Sequence, residues 1–352
     1  MKIGIDCRTI LNPAHGEKAG VGYYTHHLVE SLLALDKENT YVLFFDSRFK
    51  GANKFKRDNV AIRFFPFYQY KKYLPIAYSQ MLISAVLNRE NLDVFHSPAN
   101  VIPLFYNRPS VLTIHDLAIY KFPKFFPKKF LNRQTFSTQV LVPRSVRKAS
   151  QIIAISKNTK TDIVEEFSIP EDKITVIYEG PAGNFRPQPE DKKEKFKKKY
   201  GLPDVFVLAI GGVGERRNLA RIKETCKDYN LVIAGQTLPW LSVGELELLY
   251  SSASVLLYCS LYEGFGLPIL DGFACGLPVI TSNVSSMPEV GGDGALYVDP
   301  YSVESIKEKL GEVLSDEELR QDLMKKGLER VKQFSWEKAA EQTAQVYRKL
   351  TE

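Results

Sequence analysis

The residues of this chain best suited to chemistry sit in short loops that follow apolar runs. Glu263-Gly264-Phe265-Gly266-Leu267-Pro268 follows the run ending at Tyr258 and opens a helical stretch reaching Cys275. Its glycines let backbone approach a ligand closely, and the free N–H groups of a helix start attract phosphate. Taken alone, they describe an ordinary loop before a helix more readily than a binding site. Gly211-Gly212-Val213-Gly214-Glu215-Arg216-Arg217-Asn218 follows another apolar run, and two adjacent guanidiniums at a glycine-rich strand exit suit a diphosphate. The plainer alternative is a solvated helix start, although cations there oppose the helix dipole. His115 ends an apolar strand with its ring expected to face a cleft, and a lone histidine in that position is more readily a satisfied structural residue than a functional one. Gly20-Val21-Gly22-Tyr23-Tyr24 lacks the third glycine of a dinucleotide fingerprint. A hydrolase would need two carboxylates flanking a bond; Asp116 and Glu263 are the one tempting pair, and nothing in the sequence sets their separation. No D-x-D motif or His/Cys cluster points to a metal.

Such loops need βα units to hold them. Short apolar runs alternate with amphipathic stretches, which predicts strands at Lys2–Asp6, Tyr41–Phe45, Ala61–Phe65, Val94–His96, Ser110–His115, Gln151–Ser156 and Lys173–Ile177. A break at Gly180-Pro181-Ala182-Gly183, extended by Pro187 and Pro189, precedes a fresh set at Val205–Ile210, Leu231–Ala234, Val255–Tyr258, Pro278–Thr281 and Leu296–Val298. After Ser302 the pattern is wholly helical. The expectation is an α/β chain of two Rossmann-like, doubly wound domains facing across a cleft, with chemistry at the carboxyl ends of the strands. Residues 1–182 form the first domain, 183–333 the second, and 334–352 a C-terminal helix packing back on the first. The cationic run Lys192–Lys199 reads as an exposed helix.

At 352 residues, 44% of them hydrophobic and 25% charged, the chain has the size and balance of two folded domains. Four cysteines without a C-x-x-C pair argue against a disulfide framework or structural zinc and for a reduced, cytosolic setting. Neither a membrane-length apolar run nor a signal-peptide pattern is present. Charge is uneven: residues 1–180 carry 25 Lys plus Arg against 16 Asp plus Glu, net +9, and residues 181–352 carry 22 against 25, net −3. A cationic half suits an anionic ligand or a phospholipid surface, whereas no recognition-helix, zinc-finger or RNP pattern supports nucleic acid. Between Lys121 and Lys148, basic residues alternate with Phe122, Phe125, Phe126, Phe130 and Phe136, which fits an interfacial surface and a core-packed helix about equally.

The block from Glu263 continues through Asp271, Ala274-Cys275-Gly276-Leu277-Pro278-Val279 and Ser285-Ser286-Met287-Pro288-Glu289. It resembles the signature of the family-4 retaining glycosyltransferases, which have the two-Rossmann GT-B fold. The likeness extends along nearly the whole chain, through His96-Ser97-Pro98, Thr113-Ile114-His115-Asp116-Leu117, residues 152–156 and 173–187, and Phe334-Ser335-Trp336. It implies that His115 and Glu263 lie against the transferred sugar and act in catalysis. Donor binding falls to Gly20, Gly22, Arg216, Arg217, Gly264, Phe265, Gly266, Leu267 and Asp271, with Tyr23 and His96 as acceptor contact or cleft lining.

The resemblance also implies a first domain on the acceptor side and a second that binds nucleotide sugar. The expected activity is metal-independent, retaining transfer of a hexose to a hydroxyl of a glycan or lipid-linked acceptor in cell-envelope polysaccharide synthesis. Mannose from GDP-mannose leads, a UDP-sugar follows, and no cofactor is implied. A non-catalytic nucleotide-sugar-binding subunit is the alternative. The setting is cytoplasmic, with the basic first half a candidate peripheral contact to anionic membrane. Several positions depart from the family pattern: Arg217 replaces the customary Lys, Gly212 and Tyr23 stand where Arg is common, Asp271 replaces Glu, and the stretch between Asn218 and Leu261 is short.

Overall fold

A computed structural model describes residues 1–10, 20–65, 76–126, 137–183, 185–212, 214–239 and 241–351. They divide into two compact units: Met1–Tyr120 with Pro127–Tyr178 and Trp336–Glu352, and Lys121–Phe126 with Glu179–Ser335.

The first unit is built on a seven-stranded sheet with the order β3-β2-β1-β4-β5-β6-β7 and every pairing parallel. Its strands are β1 (Lys2–Asp6), β2 (Thr40–Asp46), β3 (Val60–Phe65), β4 (Val94–Ser97), β5 (Ser110–Ile114), β6 (Gln151–Ala154) and β7 (Ile174–Val176). Parallel strands covered on both faces read as continuous apolar runs, and β5, Ser-Val-Leu-Thr-Ile, is buried along its whole length. Val42, Phe44, Phe95, Leu112, Ile114 and Ile152 form part of the core beneath the helices. The order reverses between β1 and β4, so the carboxyl ends of those strands mark the switch point where ligands of open α/β sheets bind.

The last helix, Trp336–Arg348, returns to this unit and packs on the helix Val21–Leu35. Its buried residues include Trp336, Ala339, Ala340, Thr343, Ala344 and Tyr347, which recur at the spacing of one helical face. Three of them are alanines, which permit close approach of the two helices.

The second unit holds a five-stranded parallel sheet in the order β12-β11-β10-β8-β9. Its strands are β8 (Val207–Ile210), β9 (Leu231–Ala234), β10 (Val255–Tyr258), β11 (Val279–Ser282) and β12 (Ala295–Val298). Here the order reverses between β8 and β10, and the loops leaving those two strands carry Arg216–Arg217 and Glu263. The helix Glu190–Tyr200 buries only Phe196, as its run of lysines predicts. The twelve expected strands are all present, with small differences at their ends. The strand expected to reach Ser156 stops at Ala154, because the Ser156 side chain turns to accept the Thr159 N–H and caps the next helix.

Candidate functional site

Glu263 stands on the buried loop between β10 and the helix Leu267–Ala274. Gly266 precedes that helix at φ +129°, a backbone region that disfavours any side chain. Two serines hold the loop. Ser285 Oγ accepts the Glu263 N–H at 3.2 Å and donates to the Glu263 carbonyl at 2.6 Å, while the Ser286 hydroxyl lies 2.9 Å from that carbonyl and 2.5 Å from the Phe265 carbonyl. The signature pair Ser285-Ser286 therefore fixes the backbone from which the Glu263 carboxylate projects.

The loop leaving β8 is tied to the same place. Asn218 donates to the carbonyls of Cys259 at 3.0 Å and Pro300 at 2.6 Å, and the Leu261 N–H donates to the Arg216 carbonyl at 2.8 Å. Arg217 Nη1 donates to Glu263 Oε1 at 2.5 Å and to the Tyr258 hydroxyl, its guanidinium lying 5.6 Å from the Tyr258 ring centroid. Arg216 Nη1 lies 3.5 Å from Glu263 Oε2. Both arginine side chains keep about a quarter of their surface exposed, against 7% for Glu263. Two guanidiniums and one carboxylate give this cluster a surplus positive charge beside a helix start, an arrangement able to bind a phosphate-rich anion. Burial holds the Tyr258 phenol well above its usual range, so it stays protonated and can act as both donor and acceptor.

Asp271 lies in the Leu267–Ala274 helix, 5% exposed, and Oδ1 accepts the Ala182 N–H at 2.7 Å. Burial pushes its carboxyl up to about 7, the Ala182 hydrogen bond pulling the other way. Gly264, Phe265 and Gly266 are buried and Leu267 is half-buried. The Phe265 ring packs edge-on against Phe334 with centroids 5.9 Å apart, so its side chain belongs to the core.

In the first unit, His115 follows β5 and is 8% exposed. Its Nε2 lies 2.8 Å from the Pro98 carbonyl, its N–H donates to Asn100 Oδ1 at 3.1 Å, and the Tyr24 ring stands edge-on at 4.8 Å. A carbonyl accepts only, so Nε2 carries a proton. Gly20 caps the Val21–Leu35 helix at φ +66°, and Gly22 is buried inside that helix.

One expectation in the first unit changes. His96 does not line an accessible surface: it is fully buried, with Nδ1 2.6 Å from the Tyr347 hydroxyl and Nε2 2.8 Å from Thr113 Oγ1. Tyr23 is half-buried, with its ring 4.2 Å from His27 and 6.3 Å from Trp336. Of the remaining expected residues, Arg216, Arg217 and Glu263 come together directly, with Gly264 to Leu267 and Asp271 following on the same loop and helix. Sequence reasoning assigned no role to Tyr258, Asn218 or the Ser285-Ser286 pair. A phenol closing an apolar strand was the available signal for Tyr258.

Among the described residues, ligand atoms of His26, His27 and Glu30 lie within 4.8 Å of one another. Lys54 Nζ sits 3.1 Å from His26 Nε2 and takes its lone pair, so the trio is not assigned to a metal. No helix among the described residues is long and apolar enough to cross a membrane.

Comparison with known proteins gives this geometry its setting. Residues 162–330 match the family model for glycosyl transferases group 1, and residues 19–180 match that for Glycosyltransferase Family 4. O-antigen chain mannosyltransferase B of Escherichia coli is 30% identical over 288 residues, covering 73% of this chain and 74% of that protein. The chain belongs to the group 1 glycosyltransferases. O-antigen chain mannosyltransferase RfbU of Salmonella typhimurium is similar at 29% identity, over 57% of this chain and 59% of that protein. Sucrose-phosphate synthase of Thermosynechococcus elongatus shares the fold, with a TM-score of 0.73 at 18% identity over 100% of this chain and 99% of the other. This group 1 glycosyltransferase therefore carries two Rossmann-like units of the GT-B type, and its Arg216–Arg217–Glu263 cluster lies at the switch point of the second.

Proposed function

We propose that this glycosyltransferase moves mannose, with retention of configuration and without a metal, from a nucleoside-diphosphate sugar to a hydroxyl of a glycan or lipid-linked acceptor in cell-envelope polysaccharide synthesis. GDP-mannose is the favoured donor and a UDP-sugar the second choice; the similarity to O-antigen mannosyltransferases supports the sugar. The observation that carries the reading is the pair of guanidiniums held on one carboxylate at the β8/β10 switch point.

In this reading Arg216 and Arg217 take the diphosphate, whose negative charge grows as the C1–O bond to phosphate breaks and the electron pair leaves with the phosphate oxygen. A bond forms between C1 and the acceptor oxygen on the same face, and the acceptor proton passes to the departing phosphate oxygen. Glu263 steadies the oxocarbenium-like centre, and His115 is the first unit's residue assigned to the sugar. Asp271 reads the ribose hydroxyls through the carboxylate oxygen not held by Ala182. The second unit is the nucleotide-sugar domain and the first the acceptor domain.

The setting in this proposal is cytoplasmic, with the basic first half meeting anionic membrane. Phe122 stacks on Phe125 at 5.2 Å and meets Tyr262 at 5.4 Å, and Lys124 Nζ lies 5.6 Å from the Phe125 centroid. Lys128, Lys129, Phe130, Arg133 and Phe136 of the same segment lie outside the described residues.

The test is mass spectrometry of the protein incubated with a panel of nucleotide sugars, with and without EDTA, scoring slow donor hydrolysis. GDP release from GDP-mannose, unaffected by EDTA, is the expected result. Turnover confined to another donor, or abolished by EDTA, rejects the corresponding part of the reading.

A further inference from the structure

We propose that Tyr347, on the last helix, is a positioning residue for His115 and acts through His96. The proposal rests on the assignment of His115 to the reacting sugar.

His96 is fully buried, and burial lowers its ring pKa to about 3, so the imidazole is neutral and has one donor and one acceptor nitrogen. Both are engaged, Nδ1 by the Tyr347 hydroxyl and Nε2 by Thr113 Oγ1, which in turn lies 3.3 Å from the Tyr24 hydroxyl. The Tyr347 side chain is also fully buried, and its hydroxyl proton needs an acceptor. His96 Nδ1 supplies it, which places the His96 proton on Nε2, donated to Thr113. The hydroxyl of Tyr347 thereby selects the His96 tautomer.

His96 opens the loop that seats His115. Two residues on, the Pro98 carbonyl receives His115 Nε2–H at 2.8 Å; Asn100 takes the His115 N–H at 3.1 Å and donates its own N–H to the Thr113 carbonyl at 3.1 Å. A second route starts at the other end of the same helix. Trp336 stands edge-on to Tyr24 at 5.8 Å, and Tyr24 stands edge-on to His115 at 4.8 Å. The helix Trp336–Arg348 thus braces the His115 ring through aromatic packing at its start and through hydrogen bonds near its end. Removing the Tyr347 hydroxyl leaves His96 Nδ1 without its donor, frees the ring to exchange tautomers and loosens the loop carrying Pro98. A misplacement of about 1 Å at a reacting group can cost about 10²-fold in turnover, and a smaller displacement correspondingly less.

The experiment compares parent and Tyr347→Phe by 15N spectra of the ring-labelled histidines, of which the chain has five, together with kcat and calorimetric affinity for GDP. The parent is expected to show His96 as the Nε2–H tautomer and His115 with a proton on Nε2. In Tyr347→Phe both ring signals move and kcat falls about tenfold, while GDP affinity is unchanged. Unmoved His115 signals, or unchanged kcat, overturn the proposal. So does Trp336→Phe producing the same His96 shift, because that change repacks the helix without touching the relay. Should Tyr347→Phe fail to fold, Thr113→Val breaks the relay from its other side and is read the same way. Full turnover by His115→Ala rejects the catalytic assignment of His115, and the ring signals then still decide whether Tyr347 positions it.

Discussion

Arg217 and Glu263, on loops leaving two adjacent parallel strands, share a hydrogen bond of 2.5 Å, and the Tyr258 hydroxyl accepts from the same guanidinium nitrogen. Glu263 therefore occupies a hydrogen-bonding position on the cation assigned to the diphosphate, and binding and turnover should respond differently to its removal. Glu263→Gln is expected to lower kcat by about 10² while binding nucleoside diphosphate at least as tightly as the parent. Calorimetry beside steady-state kinetics checks both. Loss of nucleotide affinity matching the loss of turnover would show that Glu263 serves binding alone.

Arg217→Met should weaken nucleoside diphosphate binding about 10- to 100-fold, the worth of a charge-assisted hydrogen bond or two, and affect nucleoside monophosphate less. Titrating both nucleotides into parent and variant measures the difference. An equal loss for both would place Arg217 away from the terminal phosphate.

Asp271 makes a prediction about pH. Its folded pKa of about 7 lies above the ordinary 3.8, so between those values the folded protein holds a proton that the unfolded chain has released. Stability must fall as pH rises through that window and level off above it. Asp271→Asn cannot ionise and still offers an oxygen to the Ala182 N–H. Relative to the parent it should gain about 2–3 kcal/mol between pH 5 and pH 8, at about 1.4 kcal/mol per pH unit. Urea unfolding at the two pH values checks this, and a pH-independent difference between the proteins would contradict it.

Liposome co-sedimentation tests the membrane contact. Binding should rise with anionic lipid and fall with salt, since screening acts over about 8 Å at physiological ionic strength. Lys124, Lys128 and Lys129 changed together to Glu should abolish it; unchanged binding would show that the segment does not anchor the protein.

The strands were legible because covered parallel strands read as apolar runs, as at Val255–Tyr258, and some end at glycine, as Val207–Ile210 does before Gly211 and Leu231–Ala234 before Gly235. Arg216, Arg217 and Glu263 were legible because strand order brings strand-exit loops together even when they lie 46 residues apart. His96 was misread for the opposite reason. It stands at a strand exit like His115, but Tyr347, which covers it, lies 251 positions away on a helix whose docking site local pattern does not reveal. Asp271 shows the same limit, since its desolvation and its bond to Ala182 arise only once the segment before β8 folds against the helix that bears it.

The most direct test of retaining transfer from a nucleoside-diphosphate sugar is time-resolved NMR of GDP-α-mannose with the parent protein and with Glu263→Gln, without added acceptor. The parent should convert the donor to GDP and mannose, with the α anomer formed first and the β anomer growing in only by mutarotation, and Glu263→Gln should slow this by about 10². β-Mannose as the first product, or equal rates in the two proteins, would contradict the account.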